Sequence, residues 1–490
     1  MGALRRNVMP RSTLWVLASS AIALIVFACS PVAQEYPLAV VGILAFLFVQ
    51  VFLPACRICA TAPVCPANIA QGYYWIQLVL VTVLIGYFGF SQGALPYVPS
   101  KGAIDLAIVV HVVGYLSFCI AYQCSSRVTG GRTFWSAEAS GGQEGLRHES
   151  APGTAYLIVP FAVLGLLGVL LTHGGVAGFI DYVSSPIEHR LRAEEPTTPQ
   201  GAAGSFLKHF LGFAVVLAWS WWLGRAPRRK VSIIAVTAGV VIVLLVANFN
   251  YNRGTMLGPI VGLAAALSVH VWRIPFKGVV LAGVLALSMA FVFGWYRSTD
   301  LDITEVSASA VADTWNSEGV VDFVQIYASA PQLSAYLIES LEGKFYYGRT
   351  LLPSLVYPIP VLGKPYRDTS GTRIFNELIY GDTDRVDQII PLDGELYINF
   401  HLAGVVLGNV LLGCFLAWLQ GKCVGAPNPV ESYAWLMMAL WTVFPGSLAV
   451  TSQMYVYSFW PIYSYFVVKS FWSWNSATAA HREQAAVKYS

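Results

Sequence analysis

Charged residues are scarce in this chain. Asp, Glu, Lys and Arg make up 11% of its 490 residues, whereas 56% are hydrophobic. Soluble globular proteins have about 25% charged and about 45–50% apolar residues, so the scarcity excludes a soluble enzyme and a disordered scaffold. The formal net charge of +3 is too small to attract a polyanion, and no nucleic-acid partner is expected. With a mean hydropathy of +0.61, the sequence predicts a polytopic membrane protein.

The sequence also lacks the motifs of nucleotide-driven and cofactor-dependent proteins. It contains no P-loop, no GxSxG, no HExxH and no dinucleotide fingerprint. No cofactor is therefore predicted, and any reaction must draw its energy from the substrate. Cys56-x-x-Cys59 with Cys65 has no fourth ligand nearby, so a zinc site is not favoured.

Long apolar runs are what the sequence has in abundance. A hydrocarbon core about 30 Å thick needs roughly 20 apolar residues per helix, and the runs are too long and too weakly alternating for barrel strands. The predicted fold class is therefore all-α. The twelve predicted spans are 13–30, 37–54, 73–90, 103–122, 154–173, 205–223, 231–248, 255–272, 278–296, 399–420, 432–449 and 454–474.

The basic residues of the short connections orient these spans. Arg5, Arg6 and Arg11 precede the first span, and short cytoplasmic segments carry an excess of Lys and Arg. Alternation over twelve spans then places both termini in the cytoplasm. Most of the acidic residues lie on the outer side in this topology.

Two outer connections are long, and they divide the chain. Residues 1–296 form a predicted transmembrane bundle of about nine spans with an outer loop near 174–204. Residues 297–398 form a large outer loop, and 399–490 supply three further spans and a cytoplasmic tail. Loops of this size within a compact protein are usually functional.

The large outer loop contains two apolar segments. Residues 320–341 have apolar residues at mixed helical spacing, interrupted by Pro331, which predicts helices on the bilayer surface. Residues 351–360 are too rich in proline for a helix and too apolar for a free loop. They predict a re-entrant or protein-buried segment.

Cations collect at the outer membrane boundary. Arg presents a fork of donors that matches phosphate oxygens and keeps its charge when partly desolvated. Each cation also has a structural reading, in which it reaches the lipid headgroups or pairs with an outer carboxylate. Arg253 favours binding, because the tight connection Asn250–Gly254 leaves it little freedom to reach headgroups. The other outer cations are Arg190, Arg192, Arg297, Lys344, Arg349, Lys364, Arg367, Arg373 and Arg385.

The stretch that leads into the tenth span delivers two carboxylates, a tyrosine and a histidine to the outer mouth of the bundle. These residues are Asp393, Glu395, Tyr397 and His401. A general base needs to be held within hydrogen-bond reach of the proton it removes. The two carboxylates also suit the N-terminus of a helix, and the sequence leaves both readings open.

Two Asp-x-Asp patterns and one histidine are weaker candidates for functional residues. The Asp300-x-Asp302 and Asp382-x-Asp384 patterns are short and lie in an acidic loop, so a metal is not favoured. His111 lies near the middle of the fourth span, where an ionisable group is a functional candidate. The sequence offers it no obvious partner, which favours a neutral, hydrogen-bonded packing residue.

Over residues 170–420 the chain resembles the bacterial oligosaccharide repeat-unit polymerases of the O-antigen polymerase (Wzy) type. Each shared piece is short, and the order of the pieces beside a large outer loop makes the resemblance more specific. The pieces are Gly174-Gly175 followed by Arg190, Asn252-Arg253-Gly254, Gly348-Arg349-Thr350 before Pro353, Ile359-Pro360 with Gly363-Lys364-Pro365, and Gly394 to Phe400 before Gly404.

The resemblance implies a C-type glycosyltransferase-like architecture in the bacterial inner membrane, with the outer loops in the periplasm. Its substrates would be undecaprenyl-pyrophosphate-linked oligosaccharides, and its other partners membrane lipids and a chain-length regulator. Pyrophosphate leaves readily once its charge is neutralised, so Arg and Lys can replace a metal and a general acid. The predicted enzyme is metal-independent and needs no cofactor.

The resemblance also implies roles for the candidate residues. Glu395 would activate the acceptor hydroxyl, with His401 or Asp393 as second choices. Arg253, with Arg297 or Arg190, would hold the pyrophosphate. The remaining candidates for phosphate or glycan contact are Arg192, Arg349, Lys364, Arg367 and Tyr397.

Two other functions remain open from the sequence. A ligase that moves finished polysaccharide onto a lipid or protein acceptor would have the same architecture. A flippase or other transporter of lipid-linked sugars would carry charges midway through broken helices and show internal repeats. The sequence shows no repeat and has most of its outer charges in loops, which favours the polymerase.

Overall fold

The computed structural model describes a helical chain. In the part of the chain that it describes there is no β-strand, so the all-α prediction is confirmed for these residues. The described residues are 11–58, 64–89, 97–128, 154–184, 199–225, 229–247, 253–271, 330–341, 343–351, 371–381, 391–443 and 463–474, with the single positions 274, 278 and 353.

The helices follow the apolar runs of the sequence. In chain order they are α1 (Arg11–Ala28), α2 (Ala39–Phe52), α3 (Pro66–Trp75), α4 (Val81–Phe88), α5 (Lys101–Val128), α6 (Thr154–Thr172), α7 (Val176–Ser184), α8 (Pro199–Leu207), α9 (His209–Leu223), α10 (Lys230–Ala247), α11 (Arg253–His270), α12 (Ala330–Ser340), α13 (Gly371–Tyr380), α14 (Leu392–Val424) and α15 (Pro429–Val443).

Several of these helices suit a bilayer. Among the described residues, five helical stretches are long and apolar enough to cross a membrane: Pro66–Phe88, Lys101–Val128, Thr154–Thr172, Ala203–Leu223 and Leu392–Val424. Shorter apolar helices cover Ser12–Ala28, Ala39–Phe52, Lys230–Leu244 and Ile260–His270. The described part of the chain thus has several helices long and apolar enough for a membrane protein, and residues 279–296 of the ninth predicted span lie outside the described residues.

Two of the long stretches are not regular α-helices throughout. Between α3 and α4 the chain makes one π-helical turn, Ile76–Leu80, a feature that often marks a functional position. α14 is interrupted at Phe400 (φ −139°, ψ 15°) and His401 (φ 59°, ψ −160°). The interruption divides α14 into a short first segment, 392–399, and a long second segment, 402–424.

The chain divides into two compact units, and the candidate site lies in the first. Unit 1 comprises 1–140, 274–421 and 439–456. Within it α5 packs against α2 and α12. The side chains of Ile104, Tyr115 and Cys119 on α5 are buried, so α5 forms the centre of the core of unit 1.

Unit 2 comprises 141–273, 422–438 and 457–490. Here α6 packs closely against α8 and α9. A Cβ atom built on Gly165 or Gly168 would meet the backbone of Leu211 or Lys208, so the missing side chains let the helices approach, as small residues do in membrane bundles. The predicted division at 296 and 398 stays a prediction.

The prediction of surface helices over 320–341 falls on described residues only from 330 onward. Residues 330–340 form α12, and Gln332 to Leu337 are all buried, so this helix lies inside unit 1 and not on a bilayer surface. Pro331 lies within the described helix, and residues 320–329 of the predicted segment lie outside the described residues.

Candidate functional site

The candidate site is built around the first segment of α14. Asp393 and Glu395 are both in its first turn and have no exposed surface. Since residues of an α-helix are about 100° apart, two residues at positions i and i+2 point to nearly opposite sides. The two carboxylates therefore face different surroundings.

Asp393 faces α5. Its Oδ2 lies 2.8 Å from Nδ1 of His111, and its Oδ1 accepts a hydrogen bond of 2.6 Å from Nδ2 of Asn409 in the second segment of α14. The other ring nitrogen of His111, Nε2, lies 3.0 Å from Oγ of Ser334 on α12. All four side chains are buried, so they form a closed polar cluster, here called the Asp393 cluster.

His111 is buried and hydrogen-bonded to Ser334, as the prediction of a packing residue requires, but it also has a charged neighbour that the sequence does not indicate. It is paired with Asp393, a residue 282 positions later in the sequence, which no local pattern could indicate. His111 lies ten residues after the start of α5, about 15 Å along the axis at 1.5 Å per residue.

Glu395 faces the other way, toward α13 and the segment Lys344–Thr350, here called the 344–350 loop. A Cβ atom on Gly371, the first residue of α13, would lie 2.6 Å from Oε1 of Glu395. The absence of a side chain at Gly371 thus makes room for the carboxylate.

Asn399 ties the 344–350 loop to α14. Its Nδ2 donates to Oγ1 of Thr350 at 2.6 Å and to the carbonyl of Glu395 at 2.7 Å. Its Oδ1 accepts from the backbone N–H of Gly348 at 2.8 Å. One buried amide therefore connects the loop to the turn that carries Glu395.

The loop also compensates for the interruption of α14. The N–H of Tyr346 donates to the carbonyl of Ile398 at 3.0 Å, a carbonyl that a continuous helix would pair with residue 402. His401 adopts φ 59° and ψ −160°, a region in which residues other than glycine are strained. Its Nε2 lies 3.2 Å from the hydroxyl of Tyr397.

Cationic and aromatic side chains are exposed at this end of α14. Tyr347 is 78% and Phe400 46% exposed, and Lys344, Arg349 and His401 are also exposed. This surface offers positive charge beside aromatic faces, a combination suited to a glycan that carries phosphate.

The side chain of Tyr346, on the same loop, keeps the proton of its phenol hydroxyl. Burial raises the pKa of its hydroxyl above the usual value near 10, and the negative charge of Glu377 raises it further. A raised phenol pKa favours the neutral form, so at neutral pH the hydroxyl of Tyr346 remains a hydrogen-bond donor.

Of the candidate site residues, the structure brings five to this region. Asp393, Glu395, Tyr397 and His401 lie on α14, and Arg349 lies on the loop that Asn399 holds against it. Arg253 is the first residue of α11 in unit 2, and its side chain lies outside the described part. Arg190, Arg192, Arg297, Lys364, Arg367, Asp300, Asp302, Asp382, Asp384 and residues 354–360 lie outside the described residues.

Sequence reasoning missed the residues that hold the carboxylates. Asn409 is a lone amide in an apolar run, and a polar residue inside a predicted span is a signal that could have been used. Ser334 has no distinguishing pattern, and Thr350 and Asn399 lie in pieces of the family resemblance, which gives them no role. Their roles appear only when distant segments meet.

Comparison of the chain with protein-family models, with curated proteins and with solved structures finds no match. The chemistry of the site therefore rests on its own geometry. That geometry offers two buried carboxylates in different surroundings, and an exposed cationic and aromatic surface next to one of them.

Proposed function

We propose that this chain is an integral-membrane glycosyltransferase that polymerises undecaprenyl-pyrophosphate-linked oligosaccharide repeat units at the periplasmic face of the bacterial inner membrane. Twelve spans, cytoplasmic termini, a C-type glycosyltransferase-like architecture and metal independence are parts of this proposal. The observation that carries it is the placement of Glu395 on an interrupted helix beside the loop that bears Lys344 and Arg349.

In the proposed reaction a hydroxyl of the lipid-linked acceptor attacks the anomeric carbon of the donor glycan. The new C–O bond forms as the bond to the polyprenyl pyrophosphate breaks, and the pyrophosphate leaves with the electron pair. Glu395 takes the hydroxyl proton as general base. The cations balance the charge that develops on the leaving group, which is the largest contribution expected in such a site.

In this proposal different cations contact different parts of the substrates. Arg253, with Arg297 or Arg190, holds the pyrophosphate, while Arg349, Lys364 and Arg367 contact phosphate or glycan from the large loop. Holding two lipid-linked substrates side by side converts an encounter between large molecules into a local reaction.

The proposal is tested first in cells that lack the gene. Deletion is expected to remove the surface polysaccharide ladder on a gel, and the wild-type gene to restore it. Glu395→Gln is expected to give no polymer at an unchanged protein level, because the amide cannot take the proton. Glu377→Gln, which removes an exposed carboxylate of α13, is the matched control and is expected to restore the ladder. A normal ladder from Glu395→Gln would remove Glu395 as the base.

Arg253 gives a second test of the same proposal. Arg253→Ala is expected to abolish polymer without lowering the protein level, because the pyrophosphate loses its principal counter-charge. Arg225→Ala removes an exposed arginine from the end of α9 and is expected to leave polymer unchanged. Polymer of normal length from Arg253→Ala would contradict the assignment.

One observation favours a second function, transport of a lipid-linked sugar. Secondary transporters carry ionisable residues and broken helices at the middle of the membrane, and α14 is interrupted while His111 and Asp393 form a buried pair. Polymer formation by purified protein in detergent, where no gradient exists, would exclude transport as the source of polymer.

A further inference from the structure

We infer that Asp393 is a positioning residue and not a base: paired with His111 and Asn409, it anchors the start of α14 so that Glu395 is held at the site. The inference rests on the proposed function for what Glu395 does. It concerns the Asp393 cluster, which contains a titratable pair that the proposed reaction does not use.

Three segments meet at this carboxylate, and a fourth reaches it through His111. Asp393 belongs to the first segment of α14, Asn409 to the second, His111 to α5, and Ser334 on α12 closes the chain of contacts through the far side of the imidazole. The cluster therefore spans the interruption at Phe400 and His401 and joins both parts of α14 to α5. Residues this far apart in sequence are held together by these contacts and the packing around them.

Both oxygens of Asp393 lie against buried polar groups. Oδ1 accepts a hydrogen bond from Asn409, and Oδ2 lies 2.8 Å from Nδ1 of His111 as a charge contact without hydrogen-bond geometry. A general base needs to come within about 2.6–3.2 Å of the substrate hydroxyl. Asp393 would have to give up its contact with Asn409 or His111 before it could do so.

The backbone around the cluster is shaped to fit it. A Cβ atom on Gly114 of α5 would lie 2.7 Å from Oδ1 of Asp393 and 2.9 Å from Nδ2 of Asn409. A Cβ atom on Gly394 would lie 2.7 Å from Oγ of Ser334. Glycine at both positions lets α5 and α12 approach the polar cluster closely.

The substitution Asp393→Asn distinguishes an anchoring role of this side chain from a catalytic one. Its Oδ1 can still accept from Asn409, and its Nδ2 can donate to Nδ1 of His111 when the imidazole carries its proton on Nε2 and donates to Ser334. Asp393→Asn thus preserves the contacts of an anchor and removes the basicity of a base. Asp393→Ala removes both.

The experiment compares three variants in two measurements, polymer formation by purified protein and the apparent melting temperature in detergent. Asp393→Asn is expected to retain polymer formation within about tenfold of the wild type, since each tenfold in rate is only about 1.4 kcal/mol. Asp393→Ala is expected to lose polymer and melt earlier. Glu395→Gln is expected to lose on the order of 10²- to 10⁴-fold in rate, the usual contribution of a general base.

Rescue by asparagine but not by alanine is the result that an anchor predicts. Asp393→Asn with the melting temperature of the wild type and the activity of Glu395→Gln would overturn the inference, because it would make the carboxylate itself necessary for the chemistry.

A double-mutant cycle tests the anchor without using the enzymatic activity. The losses in melting temperature of His111→Ala and Asp393→Ala are expected to be non-additive, since either change breaks the same contact. Additive losses would overturn the anchor. A wild-type protein that makes no polymer while the cycle shows coupling would reject the proposed function and leave the anchor standing.

Discussion

Asp393 and Glu395 are the same kind of acid two positions apart, and their surroundings give them different roles. Asp393 is enclosed by an imidazole and an amide, whereas Glu395 lies against the first residue of α13 beside a loop with exposed cations. A charge in a buried site needs a partner of its own. The contacts of Asp393 with His111 and Asn409 are what favour a positioning role for this residue.

Gly114 allows a direct test at this scale. Gly114→Ala would place a Cβ atom 2.7 Å from Oδ1 of Asp393, and overpacking of this kind costs about 1–3 kcal/mol. We expect a melting temperature lower by several degrees, together with loss of polymer. The measurement is thermal unfolding of the purified protein in detergent.

Gly102 on the same helix is the control for that substitution. A Cβ atom there meets nothing within 4 Å, so Gly102→Ala is expected to leave both the melting temperature and the polymer unchanged. Equal effects of the two substitutions would mean that the space beside Asp393 is not what Gly114 provides.

Only part of this site is predictable from its residues. The acidic pair, the tyrosine and the histidine stand out because they precede an apolar run, and that run forms α14. The pairing of His111 with Asp393 is not predictable, because it depends on contact between segments 282 positions apart. Neither residue lies in a sequence pattern that indicates the other as its partner.

At the scale of elements, the interruption of α14 is the decisive feature. No proline marks it, and Ile398 keeps a hydrogen-bond partner only because the N–H of Tyr346 comes from another segment. The sequence predicts a span starting at 399, and the second segment of α14 agrees with it. The first segment and its break come from tertiary contacts, which explains why hydropathy alone does not predict them.

The backbone of His401 tests whether the interruption is strained. A residue other than glycine in a sparsely populated region costs about 1–3 kcal/mol, and glycine adopts φ 59° readily. The His401→Gly variant is therefore expected to melt several degrees higher than the His401→Ala variant. Thermal unfolding of the two variants measures the difference, and a lower melting temperature for the glycine variant would contradict the strained geometry.

The whole molecule is where sequence reasoning performs best and also where it leaves most open. The thickness of a bilayer imposes long apolar helices, and helices lie at most of the predicted positions. The structure of the large loop is harder to predict from its sequence. The apolar residues of α12 contact other parts of the protein, but their spacing is also typical of a helix on a bilayer surface. Apolar spacing cannot distinguish a lipid partner from a protein partner.

The proposed topology is tested with single cysteines. Tyr347 is exposed on the 344–350 loop, which the proposal places in the periplasm, and Cys124 is exposed near the end of α5 that the proposal places in the cytoplasm. Two variants are made without the other native cysteines, one with Tyr347→Cys and one with Cys124 alone. A membrane-impermeant maleimide added to intact spheroplasts is expected to label position 347 and to reach Cys124 only after permeabilisation.

Labelling of both positions from the same side would contradict the orientation of α5 relative to this loop. Labelling of Cys124 alone from outside would invert the whole topology, and the proposed site would then face the cytoplasm.

The most direct measurement of the central claim uses purified protein and undecaprenyl-pyrophosphate-linked repeat units in detergent with EDTA present. We predict a ladder of glycan products of increasing length and equimolar release of undecaprenyl pyrophosphate, both absent with Glu395→Gln. EDTA is expected to have no effect, because arginine and lysine neutralise the leaving group. Unchanged substrate with wild-type protein, which a transporter or a ligase lacking its acceptor would give, would contradict a polymerase.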